Sequence, residues 1–136
     1  MELDRFFRHE KVYFQDKKAL IFDLDGTLVD SMQFWYSKKL RALRDGDAVH
    51  QFMLEAYNTQ VEPKPYVKEL LEDLKRASIP FCVATSTPFA LVRAMLERTG
   101  FDRLYEFFID CKEVGKEKDD PAIYLEAARR LGCAPA

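Results

Sequence analysis

The chain has 136 residues, 48% apolar and 32% charged, enough for one hydrophobic core and too few for two ordinary domains. A formal net charge of −2 gives no reason to expect nucleic acid or an anionic membrane as a partner, and no apolar run approaches the roughly 20 residues of a membrane span. Cys82, Cys111 and Cys133 are odd in number and widely scattered, which implies neither a disulfide framework nor a zinc site. With no basic-then-apolar order in Met1–Arg5, a cytoplasmic protein is expected.

Residues 1–18 form a polar and aromatic lead-in, with one helical turn possible at Leu3, Phe6 and Phe7 and a short strand at Val12–Phe14. The apolar run Ala19–Phe22 then meets Asp23-Leu24-Asp25-Gly26-Thr27, the pattern of a buried strand entering a loop. A period of two sets Asp23 and Asp25 on the same side of an extended backbone, at the place where open α/β sheets bind ligands. Clustered carboxylates are costly unless a cation or a shared proton compensates them. Hard oxygen donors of this kind call for Mg²⁺.

Met32, Trp35, Leu40 and Leu43 fall near helical spacing behind a cap at Asp30 or Ser31, and Gly46 is expected to break that helix. Val49, Phe52, Met53 and Ala56 mark a second amphipathic helix ending near Asn58, and Val61–Pro65 is a stiff connector. Val67, Leu70, Leu71 and Leu74 predict a third helix, and Ile79–Ala84 a second buried strand. Thr85-Ser86-Thr87 follow that strand, and Pro88 opens a helix that buries Leu91, Val92, Met95 and Leu96 and ends at Gly100. Hydroxyls at a helix N-terminus make a phosphate cradle; the alternative is that all three only cap the helix. Phe107–Ile109 predicts a third strand, and a final helix has Asp120 as cap, Pro121 in its first turn and Gly132 at its close. Strands alternating with helices predict an α/β fold with a doubly wound parallel sheet.

Asp23–Thr27 after an apolar strand resembles motif I of the haloacid dehalogenase superfamily, Asp-x-Asp-Gly-Thr. Val83–Pro88 is similar to its motif II. Gly115–Leu125 resembles motif III, which in the relatives nearest β-phosphoglucomutase and phosphoglycolate phosphatase reads Lys-Pro-x-Pro-Asp before an apolar helix. Counting back from Leu131-Gly132 aligns Lys118 with the family lysine, with Lys116 a neighbouring alternative. Asp119 stands in place of the first proline and Ala122 in place of the aspartate.

The resemblance implies that Asp23 attacks phosphorus to form an aspartyl-phosphate and that Asp25 serves as general acid and base. It implies that Thr85 and Lys118 hold the phosphoryl oxygens, with Ser86 and Thr27 on the substrate side. Mg²⁺ would bridge Asp23, the Asp25 main-chain carbonyl and the phosphate. The implied activity is Mg²⁺-dependent hydrolysis of a phosphate monoester on a small phosphorylated metabolite. A sugar phosphomutase and a non-catalytic phosphate-binding module are the alternatives. The second aspartate favours phosphoester over carbon–halogen chemistry.

On this reading residues 1–30 and 63–136 form the α/β core, and 31–62 form a shortened helical cap with room for about two helices. A reduced cap implies an open site, which favours hydrolysis. Trp35, Tyr36, His50 and Tyr57 are candidates for substrate contact, with packing between insert helices as the alternative. The family's motif IV strand would follow Ala134-Pro135-Ala136, so an incomplete sheet is expected. Ala19–Phe22 would then be an uncovered edge, open to residues 11–15 or to self-association.

Overall fold

Three short parallel strands, β1 (Leu20–Phe22), β2 (Phe81–Thr85) and β3 (Phe108–Asp110), pair in the order β1-β2-β3. They belong to a computed structural model that describes residues 19–133. Phe22 lies opposite Val83, and Thr85 opposite Asp110. The register therefore brings the carboxyl ends of all three strands, and the loops that follow them, to one end of the sheet.

β2 is buried along its whole length, as the apolar run Phe81–Ala84 leads one to expect of a strand covered on both faces. Its side chains alternate between two cores. Phe81 and Val83 join one cluster with Leu71 and Leu74 of α4 (Val67–Arg76) and Leu91, Val92, Met95 and Leu96 of α5 (Phe89–Thr99). Cys82 and Ala84 join a second cluster with Ile109, and with Ile123 and Ala127 of α7 (Ala122–Arg130). Helices thus cover both faces of a parallel sheet, the predicted class. The sheet has three strands among the described residues, with β1 at one edge.

The expected first insert helix is two pieces, α1 (Met32–Trp35) and α2 (Lys38–Ala42), because Ser37 Oγ accepts the N–H of Leu40 at 3.2 Å and starts a new helix. Gly46 does not break a helix. It is the first residue of α3 (Gly46–Thr59), behind Asp45, whose carboxylate accepts the N–H of Asp47 at 3.1 Å. β2 and β3 begin one or two residues later than predicted. A short helix, α6 (Cys111–Val114), follows β3 unforeseen.

α3 packs directly on α5. Met53, Ala56 and Tyr57 are buried in the same cluster as Leu91, Val92, Met95 and Leu96. Arg98 of α5 fastens the far end of α3, donating to the carbonyls of Tyr57 (2.8 Å) and Val61 (2.6 Å) and to the Glu62 carboxylate (2.6 Å). The proposed cover of β1 by residues 11–15 lies outside the described residues. Among the described residues no helix is long and apolar enough to cross a membrane.

Tyr66 precedes α4 in the left-handed region, at φ 67°, with 66% of its surface exposed. That conformation costs a residue bearing a Cβ about 1–2 kcal/mol. Glycine removes the strain but gains freedom in the unfolded chain. Tyr66→Gly is therefore expected to stabilise the fold by about 0.5–1 kcal/mol, a melting temperature higher by a few degrees. A melting temperature unchanged or lowered would show that the ring holds contacts worth more than the strain.

Candidate active site

The loop after β1 is built to hold two aspartates at the sheet's end. The Leu24 carbonyl accepts the N–H groups of Thr27 (3.2 Å), Leu28 (2.9 Å) and Val29 (3.2 Å), while Gly26 N–H donates to the Val29 carbonyl at 3.0 Å. Leu24, Leu28 and Val29 are buried and anchor the turn. Gly26 sits at φ 76°, a conformation that strains any other residue, and a Cβ there would also crowd the Met32 side chain at 3.1 Å from Cγ.

The two carboxylates have different surroundings. Asp23 is exposed, and its Oδ1 takes a salt bridge from Lys118 Nζ at 2.6 Å across 95 residues of sequence. Lys118 lies 5.8 Å from the centre of the Tyr124 ring, an additional attraction for the ammonium. Lys116 is exposed. The ammonium on Asp23 thus comes from Lys118, the residue the motif alignment selected.

Asp25 is held by three hydroxyls. Ser31 Oγ donates to Oδ1 at 2.6 Å, the Tyr57 hydroxyl also donates to Oδ1, and Thr87 Oγ1 donates to Oδ2 at 2.6 Å. Trp35 Nε1 in turn donates to the Tyr57 hydroxyl at 2.8 Å. Burial, the charge of Asp25 and the hydrogen bond to it push the Tyr57 phenol above its ordinary range, so it remains a donor. Hydroxyls both donate and accept. A carboxylate surrounded by them can gain a proton if one hydroxyl turns round to accept.

Asp110 shows the opposite design. It is buried at the end of β3, where Oδ2 accepts the Phe89 N–H at 2.8 Å and Oδ1 accepts the Glu113 N–H at 2.7 Å. Backbone N–H groups only donate, so this carboxylate stays an acceptor that caps α5 and α6. The alternative in which Thr85, Ser86 and Thr87 merely cap α5 is therefore corrected: the cap comes across the sheet from Asp110. Asp110→Ala leaves two N–H groups without their charged acceptor and is expected to cost about 2–4 kcal/mol. Urea unfolding would show the loss as a lower midpoint at unchanged slope, and Asp110→Asn should fall between it and the parent chain.

Thr85 is buried at the end of β2, and its Oγ1 accepts the Thr87 N–H at 3.1 Å. That bond shapes the turn and leaves the hydroxyl proton available. Ser86 is exposed, with Oγ 3.8 Å from Cys111 Sγ. Thr27 is exposed in the first turn. Ser31, one of the two expected caps, stands at the cap position of α1, but its side chain makes no cap bond and donates to Asp25. Of the four insert candidates, Trp35 and Tyr57 pack edge to face, with Tyr57 donating to Asp25 and Trp35 donating to Tyr57, whereas Tyr36 and His50 are exposed.

Asp110 and Asp120 are committed to backbone N–H groups, the latter to Ala122 at 2.9 Å. No group of three or more His, Cys, Asp or Glu able to hold a metal occurs among the described residues. Asp23 Oδ2 and the Asp25 main-chain carbonyl carry no hydrogen bond among these residues. Two hard oxygens fit a cation that keeps several waters and takes its remaining ligand from a phosphate, the usual habit of Mg²⁺.

Residues 36–136 match the family model of the haloacid dehalogenase-like hydrolases. The chain belongs to this family. This haloacid dehalogenase-like hydrolase is 30% identical to the phosphorylated carbohydrates phosphatase of Thermotoga maritima, over 87% of the chain and 72% of that protein. It is 29% identical to hexitol phosphatase A of Escherichia coli, over 87% of the chain and 70% of that protein. Its fold is that of CbbY from Rhodobacter sphaeroides, solved in complex with phosphate, at a TM-score of 0.70 and 19% identity, covering 87% of this chain and 74% of that one.

Proposed function

We propose that this hydrolase cleaves the phosphate monoester of a small phosphorylated metabolite, a sugar or polyol phosphate, through an aspartyl-phosphate on Asp23. The observation that carries the reading is the Lys118 ammonium on the Asp23 carboxylate at the carboxyl end of β1. The family match begins at residue 36, downstream of both motif I aspartates, so their roles lean on this geometry. Two relatives that are phosphatases of phosphorylated carbohydrates and hexitols agree with it.

Asp23, exposed and paired with the Lys118 ammonium, attacks phosphorus in line with the leaving oxygen. Lys118 and the Thr85 hydroxyl face the phosphoryl oxygens, whose spread charge is what catalysis must stabilise. Protonated Asp25 gives its proton to the departing alcohol oxygen. As a carboxylate it then takes one from the water that hydrolyses the aspartyl-phosphate. The arrangement of three donors on Asp25 is that of the carboxylate form, ready for the second step. Asp23 Oδ2 and the Asp25 carbonyl would hold Mg²⁺, which when bound neutralises charge on the phosphoryl oxygens.

The test is release of inorganic phosphate from 4-nitrophenyl phosphate and from a panel of sugar and polyol phosphates, with Mg²⁺ and with a chelator. Mg²⁺-dependent turnover is the expected result. A folded chain that releases no phosphate from any of them would remove the proposal.

A further inference from the structure

Trp35 and Tyr57 come from the helical insert, yet their hydrogen bonds end on the proton-carrying aspartate of the core. The indole N–H can only donate, so the Tyr57 oxygen accepts from it and turns its own proton to Asp25 Oδ1. Tyr57 is fully buried, and Arg98 holds its main-chain carbonyl at 2.8 Å, so the phenol is fixed at both ends. No indole fixes the hydroxyl of Thr87, the one donor on Oδ2.

A carboxylate offers about four lone-pair positions. Two on Oδ1 are taken by Ser31 and Tyr57, and one on Oδ2 by Thr87, leaving a single position on Oδ2. We propose that Tyr57, oriented by Trp35, is a positioning residue that keeps Oδ1 of Asp25 an acceptor and thereby makes Oδ2 the oxygen that exchanges the proton. This deepens the reading of Asp25 as general acid and base, and it rests on that reading. The helical insert then does more than shape the entrance to the site: one of its side chains sets the orientation of the catalytic carboxyl.

The experiment compares Tyr57→Phe with the parent chain on two aryl phosphates in the presence of Mg²⁺. 4-Nitrophenolate leaves without needing a proton, whereas phenol leaves far better when it receives one. kcat/KM reports the steps through departure of the leaving group. A general acid is worth about 10²–10⁴-fold, so misorienting it is expected to lower kcat/KM for phenyl phosphate about tenfold or more. The value for 4-nitrophenyl phosphate should change less than about twofold.

Trp35→Phe should show the same dependence on leaving group with a smaller loss, and it provides a second test should Tyr57→Phe fold poorly. An equal loss on both substrates would mean a purely structural role and would overturn the proposal, as would no loss on either. Failure of the parent chain on both substrates would instead bring down the phosphatase reading, and this inference with it.

Discussion

Asp23→Asn is expected to lower phosphate release at least roughly a thousandfold while leaving the fold intact, the pattern seen when a nucleophile that works as part of a unit is removed. An amide has the shape of the carboxylate without its charge. Its oxygen is a poor nucleophile toward phosphorus, and it gives Lys118 no anion to pair with. Stability should barely respond, because the lost salt bridge has its carboxylate 46% exposed, and pairs in contact with solvent contribute only about 0–1 kcal/mol. Phosphate release and a thermal melt on the same preparation separate the two effects. An Asn variant keeping more than about a tenth of the activity would rule out Asp23 as the attacking group, since no nucleophile of this kind is so dispensable.

Much of the site's framework was legible because it is local. An apolar run ending in Asp-x-Asp-Gly-Thr announces a strand and a tight loop, and the structure supplies both, with Gly26 at the positive φ the turn demands. Lys118 was legible through the spacing of its motif from Leu131-Gly132, although its partner lies 95 residues away. The setting of Asp25 was not legible. Its donors come from positions 31, 57 and 87, on two loops and one helix, and a hydroxyl carries no mark of which distant acceptor it will meet.

Of the two expected caps, Asp30 and Ser31, the structure sets Ser31 at the cap position but sends its side chain elsewhere. A serine before an apolar periodic run has the sequence signature of a cap, but the same oxygen is given to Asp25 and α1 goes without one. Gly46 was read as a breaker on its own low helix propensity, and the neighbouring Asp45 cap overrode it. Asp110 carries no sequence mark of its capping role. Only the register that sets β3 beside β2 brings it to the first N–H of α5, and that is a tertiary fact.

Lys118→Met should reduce kcat/KM for phosphate release roughly 10²–10³-fold, the range for removing one preorganised charge from a developing anion. Methionine keeps much of the apolar stem and removes the ammonium, the group that lies 5.8 Å from the Tyr124 ring centre. Asp23 is exposed enough to be solvated when its partner goes, so the fold should not suffer. Lys118→Arg keeps a positive charge but replaces a compact ammonium with a planar fork, and partial activity is expected, about tenfold below the parent. The decisive control is Lys116→Met, two residues away on the same exposed loop. It preserves the change in net charge while leaving the Asp23 pair in place, so its activity should stay within about twofold of the parent. If the Lys116 variant were the one to lose activity, the ion pair between Lys118 and Asp23 would be a surface contact, and the cation facing the phosphate would be Lys116 after a shift of the loop. A loss in both variants would point to the field of the whole loop instead of one ammonium, and raising ionic strength would then weaken the parent enzyme to a similar degree.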